Sequence, residues 1–291
     1  MKINVLEKEA IGEVARFIAQ LNNIDESHIG FCGKDPEEIE NFMVNELTDV
    51  LYNNSFVCAY DQNQLVGVVG FDADLEDSSA EIWGPFIEAD KWQIVHELWR
   101  ELEKLLPANI HSVAVFPNVK NHHAIQFAKE LDCLQHEHAQ IILTVNRDDQ
   151  NHWLDEEPIE LTQDLHEEMI NLHDQEFPNT YYSGQEIISR LNPTRKVFVV
   201  TNTEGLTGYI YVEAEPEYGE ASIEFFSVNS SERGKGIGKR LLSAALNWLF
   251  TIESMEEISL CVDSSNEAAI NLYEKVGFKR THDLFYFTKK R

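Results

Sequence analysis

Three glycines alternate with Arg233, Lys235 and Ile237 in the stretch 233–238. This stretch follows the apolar run 223–228 and precedes a segment with helical periodicity. A strand, a glycine-rich turn and a helix start, in that order, build an anion site. Glycines leave backbone N–H groups accessible, and the amino end of a helix carries roughly half a positive charge. The spacing therefore predicts that a phosphorylated ligand binds at 233–238.

Spacing separates the known kinds of phosphate loop. A Walker loop requires G-x-x-x-x-G-K-S/T, but Arg233 stands where its first glycine belongs and Arg240 replaces its Ser or Thr. A dinucleotide fingerprint requires G-x-G-x-x-G, and Lys239 occupies its third glycine position. The pattern that fits is R-x-x-G-x-G, formed by Arg233, Gly236 and Gly238.

This pattern resembles motif A of the GNAT superfamily of N-acetyltransferases, whose loop holds the pyrophosphate of acetyl-CoA. A second element, Asn266 to Phe278, resembles motif B of that family and matches every position of N-x-x-A-x-x-L-Y-x-x-x-G-F. Its apolar positions have helical spacing and share one face. The two motifs occur in the family's order, and the resemblance covers roughly residues 155–291.

The resemblance implies how acetyl-CoA would be held as a co-substrate, without a metal. Glycine N–H groups and nearby cations would bind the pyrophosphate. By the same resemblance, the backbone around 226–228 pairs with the pantetheine arm like an added strand, and Asn266 contacts that arm. The expected cofactor-binding residues are Phe226, Ser227, Val228, Arg233, Gly234, Lys235, Gly236, Ile237, Gly238, Lys239 and Asn266.

Acetyl transfer to an amine needs an acid for the leaving thiolate and a base for the ammonium. Tyr273 is the candidate acid, because a phenol with a reference pKa near 10 stays protonated at neutral pH. Glu224 is the candidate base, acting directly or through water, and Glu213 and Glu220 are weaker alternatives. The family implies that a backbone N–H near Val228 holds the oxyanion.

The acceptor amine is expected to bind near the segment that joins the first two helices of the second half. There, Tyr181 and Tyr182 follow a proline and offer apolar faces with hydroxyl groups. Simple packing of this loop against the core remains an alternative. The segment does not identify the acceptor.

The two halves of the chain are similar to each other, which indicates a duplicated domain. The clearest match is Asn121–Ile125 with Asn266–Ile270, and each half ends in an apolar strand, 141–145 or 284–288. The first half has Glu88 and Asp90 where the second has its glycine loop, and these would repel a pyrophosphate. We expect a degenerate GNAT-like domain at 1–146, with an unassigned role, and a catalytic one at 152–291.

The expected fold class is α+β: two tandem domains, each a mixed, mainly antiparallel sheet flanked by helices. In the second half we expect helices near 164–174, 184–191, 236–251 and 266–276. Strands are expected there near 196–201, 206–214, 219–228, 257–262 and 281–288. In the first half we expect helices near 8–21, 36–47, 91–106 and 121–131.

Composition limits the class of protein. The net charge of −28 argues against nucleic-acid binding, which needs a basic face. No window approaches a membrane span, and the start does not resemble a signal peptide. The four scattered cysteines favour a reduced, cytoplasmic compartment. The paired histidines near 122 and 136 lack metal-ligand spacing, so no metal is expected.

These features predict an acetyl-CoA-dependent N-acetyltransferase that acts on an amine of a small molecule or peptide by direct attack in a ternary complex. Two alternatives stay open. One is a non-catalytic acyl-CoA-binding sensor or scaffold, and the other is a protein lysine or N-terminal acetyltransferase. The sequence allows either a monomer or a homodimer and leaves the acyl chain length undetermined.

Overall fold

The computed structural model describes residues 1–152, 159–178 and 180–291, with the side chains of 150–152 and 220 left out. It divides into two compact units. Unit 1 comprises Met1–Gln140 and His282–Arg291, and unit 2 comprises Ile141–Thr281. Unit 2 is thus one continuous stretch, whereas unit 1 is assembled from both ends of the chain.

Strands and α-helices are interspersed along the described chain, as expected for an α+β fold. The strands are β1 (Lys2–Val5), β2 (Phe56–Asp61), β3 (Gln64–Asp74), β4 (Ser79–Ile87), β5 (Ser112–Val115), β6 (Leu134–Gln135), β7 (Gln140–Asn146), β8 (Arg195–Asn202), β9 (Gly205–Glu215), β10 (Glu220–Val228), β11 (Glu257–Asp263), β12 (Lys279–Leu284) and β13 (Phe287–Lys290). The α-helices are α1 (Ile11–Asn22), α2 (Pro36–Asn45), α3 (Val95–Leu105), α4 (His122–Glu130), α5 (His166–Glu176), α6 (Gly184–Arg190), α7 (Ile237–Leu249) and α8 (Glu267–Lys275).

Unit 1 is built on a seven-stranded sheet with the order β1-β2-β3-β4-β5-β13-β6. Its pairs are antiparallel except for β4 and β5, which are parallel from Ser79 to Glu81. One apolar cluster joins the sheet to α3, and another joins it to α1 and α2. The sheet is therefore covered by helices on both faces.

Unit 2 contains the three-stranded sheet β10-β9-β8 and most of a second, β11-β7-β12. The strand β12 begins in unit 2 and ends in the segment assigned to unit 1. Successive residues of β8 point to opposite faces, as strand geometry requires. Phe198 and Val200 pack with Leu241 and Leu246 of α7, whereas Val197 faces the cluster of α5 and α6. The core of unit 2 thus places α7 on one face of its first sheet and α5 and α6 on the other.

Asparagine side chains start α4 and α8 in the same way. Asn121 Oδ1 accepts a hydrogen bond from the Ala124 N–H at 3.0 Å, and Asn266 Oδ1 accepts one from the Ala269 N–H at 3.1 Å. Such caps satisfy backbone donors that have no partner inside the helix. The shared cap agrees with the internal repeat read from the sequence.

The expected helices are confirmed with small shifts of their ends, and α1 and α3 are preceded by short 3-10 turns. The single strand expected near 281–288 is wrong, because Phe285 and Tyr286 separate β12 from β13. The chain changes sheets at this point: β12 pairs beside β7, and β13 lies between β5 and β6.

The units differ from the expected domain boundaries at two places. Residues 141–146, expected to end the first domain, lie in unit 2, and residues 282–291, expected to end the second, lie in unit 1. Residues 141–146 belong to one short apolar strand, β7, whereas residues 282–291 contain the end of β12 and all of β13. The alternation of strands this short fits either sheet. The sequence therefore could not assign them to a unit.

Candidate active site

The glycine loop of unit 2 leads into α7 without a side-chain cap. Gly234 and Gly236 have φ values of +80° and +84°, a conformation that other residues rarely adopt. Within the described chain no side chain caps the helix at Gly236, and the first turn bond runs from the Arg240 N–H to the Gly236 carbonyl at 3.2 Å. The preceding N–H groups have no partner inside the helix and are available to an anion.

Gly238 is needed for close packing and not for an unusual backbone angle. A Cβ at this position would lie 2.9 Å from Leu272 Cδ2 of α8 and 3.2 Å from Phe226 Cζ of β10. By contrast, a Cβ at Gly234 or Gly236 would have no neighbour within 4 Å. The two kinds of glycine therefore keep the loop open on one side and bring α7, α8 and β10 together on the other.

The end of β10 offers its backbone to a ligand. Phe226, Ser227 and Val228 pair with β9 on one edge, and no described strand pairs with the other edge. Ser227 is buried, and Phe226 and Val228 pack against the core around α7. Ile237 is also a core residue. These predicted site residues can therefore contribute backbone groups to ligand binding.

Carboxylates hold two cations of the loop. Arg233 Nη2 donates to Glu176 Oε2 at 2.9 Å, and Arg233 Nε donates to the Val228 carbonyl at 3.0 Å. Lys235 Nζ donates to Glu232 at 2.8 Å. Glu176, at the end of α5, was missed by the sequence analysis, because no local pattern connects it to a loop 57 positions later.

Glu224 lies in a β-bulge of β10, where the register with β9 shifts between Ile223 and Phe225. A bulge re-aims a side chain and interrupts the ladder, and bulges are common beside active sites. The Tyr181 hydroxyl donates to Glu224 Oε2 at 2.6 Å. Partial burial and the Glu224 carboxylate raise the pKa of Tyr181. The structure thus joins the predicted base to a predicted acceptor-site tyrosine.

Of the two alternative bases, Glu213 and Glu220, only Glu213 has a described side chain. Burial would raise the pKa of Glu213, but hydrogen bonds from Tyr211 and Arg190 and the charge of Arg195 outweigh this and lower it. Both arginines contact this carboxylate at 2.8 Å. Glu213 is therefore held as a paired anion. The side chain of Glu220 lies outside the described residues.

Four aromatic rings form the wall next to Glu224. Tyr181 and Phe225 have ring centroids 4.9 Å apart, and Phe177 and Phe225 have centroids 5.2 Å apart. Tyr182 meets Tyr181 edge-on at 4.8 Å. Tyr181 remains 62% exposed, so this wall faces solvent on one side.

Tyr273 lies on α8, and Asn266 is the residue that caps this helix. Tyr273 packs edge-on against Phe278 at 5.4 Å, and burial raises the pKa of its hydroxyl. A raised pKa keeps the phenol protonated, as a proton donor must be. The amide oxygen of Asn266 caps α8, so its Nδ2 group is the part directed to other contacts.

Residues 160–278 match the model of the acetyltransferase (GNAT) family. The spermidine N(1)-acetyltransferase of Vibrio cholerae is 31% identical over 137 residues, which span 47% of this chain and 69% of that protein. The chain belongs to the GNAT family. Mycothiol acetyltransferase of Kocuria rhizophila is 33% identical over 84 residues, or 27% of each chain, and N-acetyltransferase YycN of Bacillus subtilis is 37% identical over 82 residues, 28% of this chain and 52% of that one. The matches to these two relatives therefore span about a quarter and a half of their lengths.

Solved GNAT structures resemble the entire chain. A GCN5-related N-acetyltransferase from Sphaerobacter thermophilus superposes with a TM-score of 0.67 and 14% identity, covering 99% of this chain and 95% of that one. A tandem GNAT protein from the clavulanic acid biosynthesis pathway gives 0.62 at 14% identity, covering 99% and 98%. At this identity the likeness shows the fold: a tandem GNAT arrangement, as the sequence predicted.

Unit 1 differs from unit 2 at the GNAT loop position. Residues 89–94 form a 3-10 helix without glycine, and Lys91 there is paired with Asp61 at 2.9 Å. When β4 of unit 1 is aligned with β10 of unit 2, Pro85 occupies the position equivalent to Phe226, and proline has no N–H to donate. No described helix of either unit is both long and apolar enough to cross a membrane.

Proposed function

We propose that this GNAT protein is an acetyl-CoA-dependent N-acetyltransferase that transfers an acetyl group to an amine of a small molecule or peptide within a ternary complex. The observation that carries the proposal is the uncapped start of α7, reached through two left-handed glycines from the open edge of β10. This combination offers N–H groups to a pyrophosphate next to a free strand edge.

The residues of unit 2 fit acetyl-CoA as the donor. The N–H groups at the start of α7 would hold the pyrophosphate, and the open space at Gly234 and Gly236 admits it. Arg233 and Lys235 are exposed and can exchange their half-buried carboxylate partners for phosphate, because ion pairs near the surface are worth only about 0–1 kcal/mol. The 226–228 edge would pair with the pantetheine arm.

Glu224 and Tyr273 would divide the proton transfers. Glu224 takes a proton from the acceptor ammonium, directly or through water, and the freed amine nitrogen attacks the thioester carbonyl carbon. The new N–C bond forms, the C–S bond breaks, and Tyr273 gives its proton to the departing sulfur. The attacking nitrogen then loses its second proton to the Tyr273 phenolate, which leaves a neutral amide. In support of this role, Glu224 lies at the bulge between two paired stretches of β10 and accepts a hydrogen bond from Tyr181 of the aromatic wall.

Calorimetric titration with acetyl-CoA tests donor binding. We expect one site per chain, because unit 1 lacks the glycine loop and places a proline in the matching strand. Gly236→Glu should abolish binding, since it puts a carboxylate where the pyrophosphate sits. Gly236→Asn is the matched control: asparagine tolerates the left-handed angle without adding charge. Two sites per chain would contradict the expectation that unit 1 does not bind acetyl-CoA, and no binding would overturn the proposal.

Turnover with a panel of amines then separates the kinds of acceptor. Spermidine and kanamycin represent polycationic small molecules, because relatives include a spermidine and an aminoglycoside acetyltransferase. Lysine peptides and free peptide amino termini represent protein acceptors. Release of CoA should require an amine and decrease in Tyr273→Phe, which retains acetyl-CoA binding. Binding without turnover on any amine would instead support an acyl-CoA sensor.

A further inference from the structure

His173 of α5 is fully buried and has a hydrogen bond at each ring nitrogen. Its Nε2 lies 2.7 Å from the Tyr182 backbone carbonyl, and its Nδ1 lies 2.5 Å from the Tyr209 hydroxyl. The imidazole therefore links α5 to β9 and to the loop before α6. None of the proposed proton transfers uses it.

The partners fix the tautomer of the ring. A carbonyl oxygen can only accept, so Nε2 carries the proton and donates to Tyr182. Nδ1 then accepts from the Tyr209 hydroxyl, which burial keeps protonated by raising its pKa. Both nitrogens are satisfied in one arrangement, and a rotated ring would leave the Tyr182 carbonyl without its donor.

Tyr182 is held on its other side as well. Arg190 lies over its ring, with Cζ 4.1 Å from the centroid, and Arg190 is itself bound by Glu213 at 2.8 Å. The ring of Tyr182 in turn meets Tyr181 edge-on at 4.8 Å. The backbone and ring of Tyr182 are thus both fixed, and Tyr181 rests on them.

The His173 ring also supports the segment that carries Glu224. It meets Phe225, the residue after Glu224, edge-on at 4.7 Å and 90°. Tyr181, which donates to Glu224 at 2.6 Å, contacts the same Phe225 ring. One imidazole therefore touches both the loop that bears Tyr181 and the bulge that bears Glu224.

We propose that His173 is a positioning residue for the acceptor amine: through Tyr182 and Phe225 it holds Tyr181 and Glu224 in register with each other. This inference rests on the proposed function of unit 2. An apolar residue would fill the same space without the cost of burying two polar nitrogens. The hydrogen bonds therefore serve orientation of the loop, and their loss should affect the acceptor more than acetyl-CoA.

Steady-state kinetics of four variants test the proposal, with spermidine as the probe, replaced by the best acceptor of the panel if spermidine is not turned over. His173→Phe keeps an aromatic ring but removes both hydrogen bonds. We expect the KM of the amine to rise about tenfold, with acetyl-CoA affinity within about twofold of wild type and kcat changing less than KM. His173→Gln, whose amide N–H can reach the Tyr182 carbonyl, should recover most of the loss.

Tyr209→Phe removes only the hydroxyl that orients the ring, and a smaller rise of about threefold is expected. Thr144→Val is the matched control: it also removes hydrogen bonds of a buried side chain in unit 2, to Ser259 and Thr281 in the other sheet, and should leave the amine KM unchanged. An unchanged amine KM in both His173→Phe and Tyr209→Phe, with only the melting temperature lowered, would overturn the positioning role. Failure of the wild type to bind acetyl-CoA would overturn the proposed function instead.

Discussion

At the scale of single residues, the pairing of Glu224 with Tyr181 is the feature closest to chemistry. The Tyr181 hydroxyl donates to the carboxylate at 2.6 Å, and we propose that a substrate ammonium takes this position. A primary ammonium is a stronger charge-assisted donor than a phenol, so it can replace Tyr181 there. Glu224 is thus poised to receive a cation, whereas Glu213 already holds two arginines.

Glu224→Gln should therefore impair chemistry without impairing donor binding. Loss of a general base reduces kcat typically by about 10²–10⁴-fold. Acetyl-CoA affinity, measured by calorimetry, should stay within about twofold, because the glycine loop is untouched. Glu215→Gln is the control, since Glu215 is an exposed carboxylate at the end of the neighbouring β9. Equal kcat values in the two variants would remove Glu224 from the mechanism.

His28 of unit 1 makes stability depend on pH. Burial, with the charge of His282 stacked on it at 3.8 Å, lowers the pKa of His28 to about 4. The charge of Lys34 also lowers the pKa of His28, whereas Asp25 raises it. Lys120, which pairs with Asp25, lowers the pKa of the stacked His282. The folded state therefore resists protonation, and the unfolded chain takes up the proton at its ordinary pKa.

Because the folded pKa is depressed, His28 costs nothing above the unfolded pKa of about 6.5, and its penalty grows as the pH falls towards 4. Between pH 7 and 5 this group should remove about 2 kcal/mol of unfolding free energy. Urea unfolding of His28→Gln should show a smaller loss over that interval than wild type. His111→Gln, at an exposed histidine, should match the wild-type slope. If the unfolding free energy of His28→Gln fell with pH as steeply as that of the wild type, this explanation would be contradicted.

At the scale of elements, the two glycine types of the α7 loop predict separable effects. Gly238→Ala puts a methyl group 2.9 Å from Leu272 Cδ2, at the contact of α7 with α8, and should cost about 1 kcal/mol or more. Gly234→Ala has open space but a left-handed backbone, so its cost is strain of about 1–2 kcal/mol. Chemical unfolding gives both values.

A double-mutant cycle distinguishes the two causes. Leu272→Ala should offset part of the cost of Gly238→Ala, because it removes the clashing methyl group, and it should add independently to Gly234→Ala. Additive values at Gly238 would mean that the packing contact is not the reason for that glycine. The motif's spacing in the sequence thus has two physical sources, a backbone angle at Gly236 and a helix contact at Gly238.

The sequence predicted these elements where local rules decide. Helical periodicity and the asparagine cap located α8, and the R-x-x-G-x-G spacing located the start of α7. It could not predict the bulge at Glu224, since an extra residue in a ladder leaves no mark in composition. His173 occupies the buried face of α5 beside Met169 and Leu172, a helical spacing that could have signalled it.

At the scale of the whole molecule, the two compact units do not follow the order of the two halves of the sequence, because residues 141–146 belong to unit 2 and residues 282–291 to unit 1. Strand β7 comes from the first half of the chain, yet Ile141, Leu143 and Val145 are at most 1% exposed within the core of unit 2. Burying an aliphatic side chain contributes about 1.5–3 kcal/mol. The three together approach the entire stability of a typical domain, about 5–15 kcal/mol.

Two fragments that differ only at their start test this dependence. The fragment 141–281 contains all of unit 2 and should unfold cooperatively and bind acetyl-CoA. The fragment 152–281 lacks β7, so β11 and β12 lose the strand between them, and it should show no cooperative transition and no binding. Melting followed by circular dichroism, with calorimetric titration of acetyl-CoA, reports both properties. Equal stability of the two fragments would show that β7 is dispensable. The boundary of the catalytic part would then lie after β7 rather than before it.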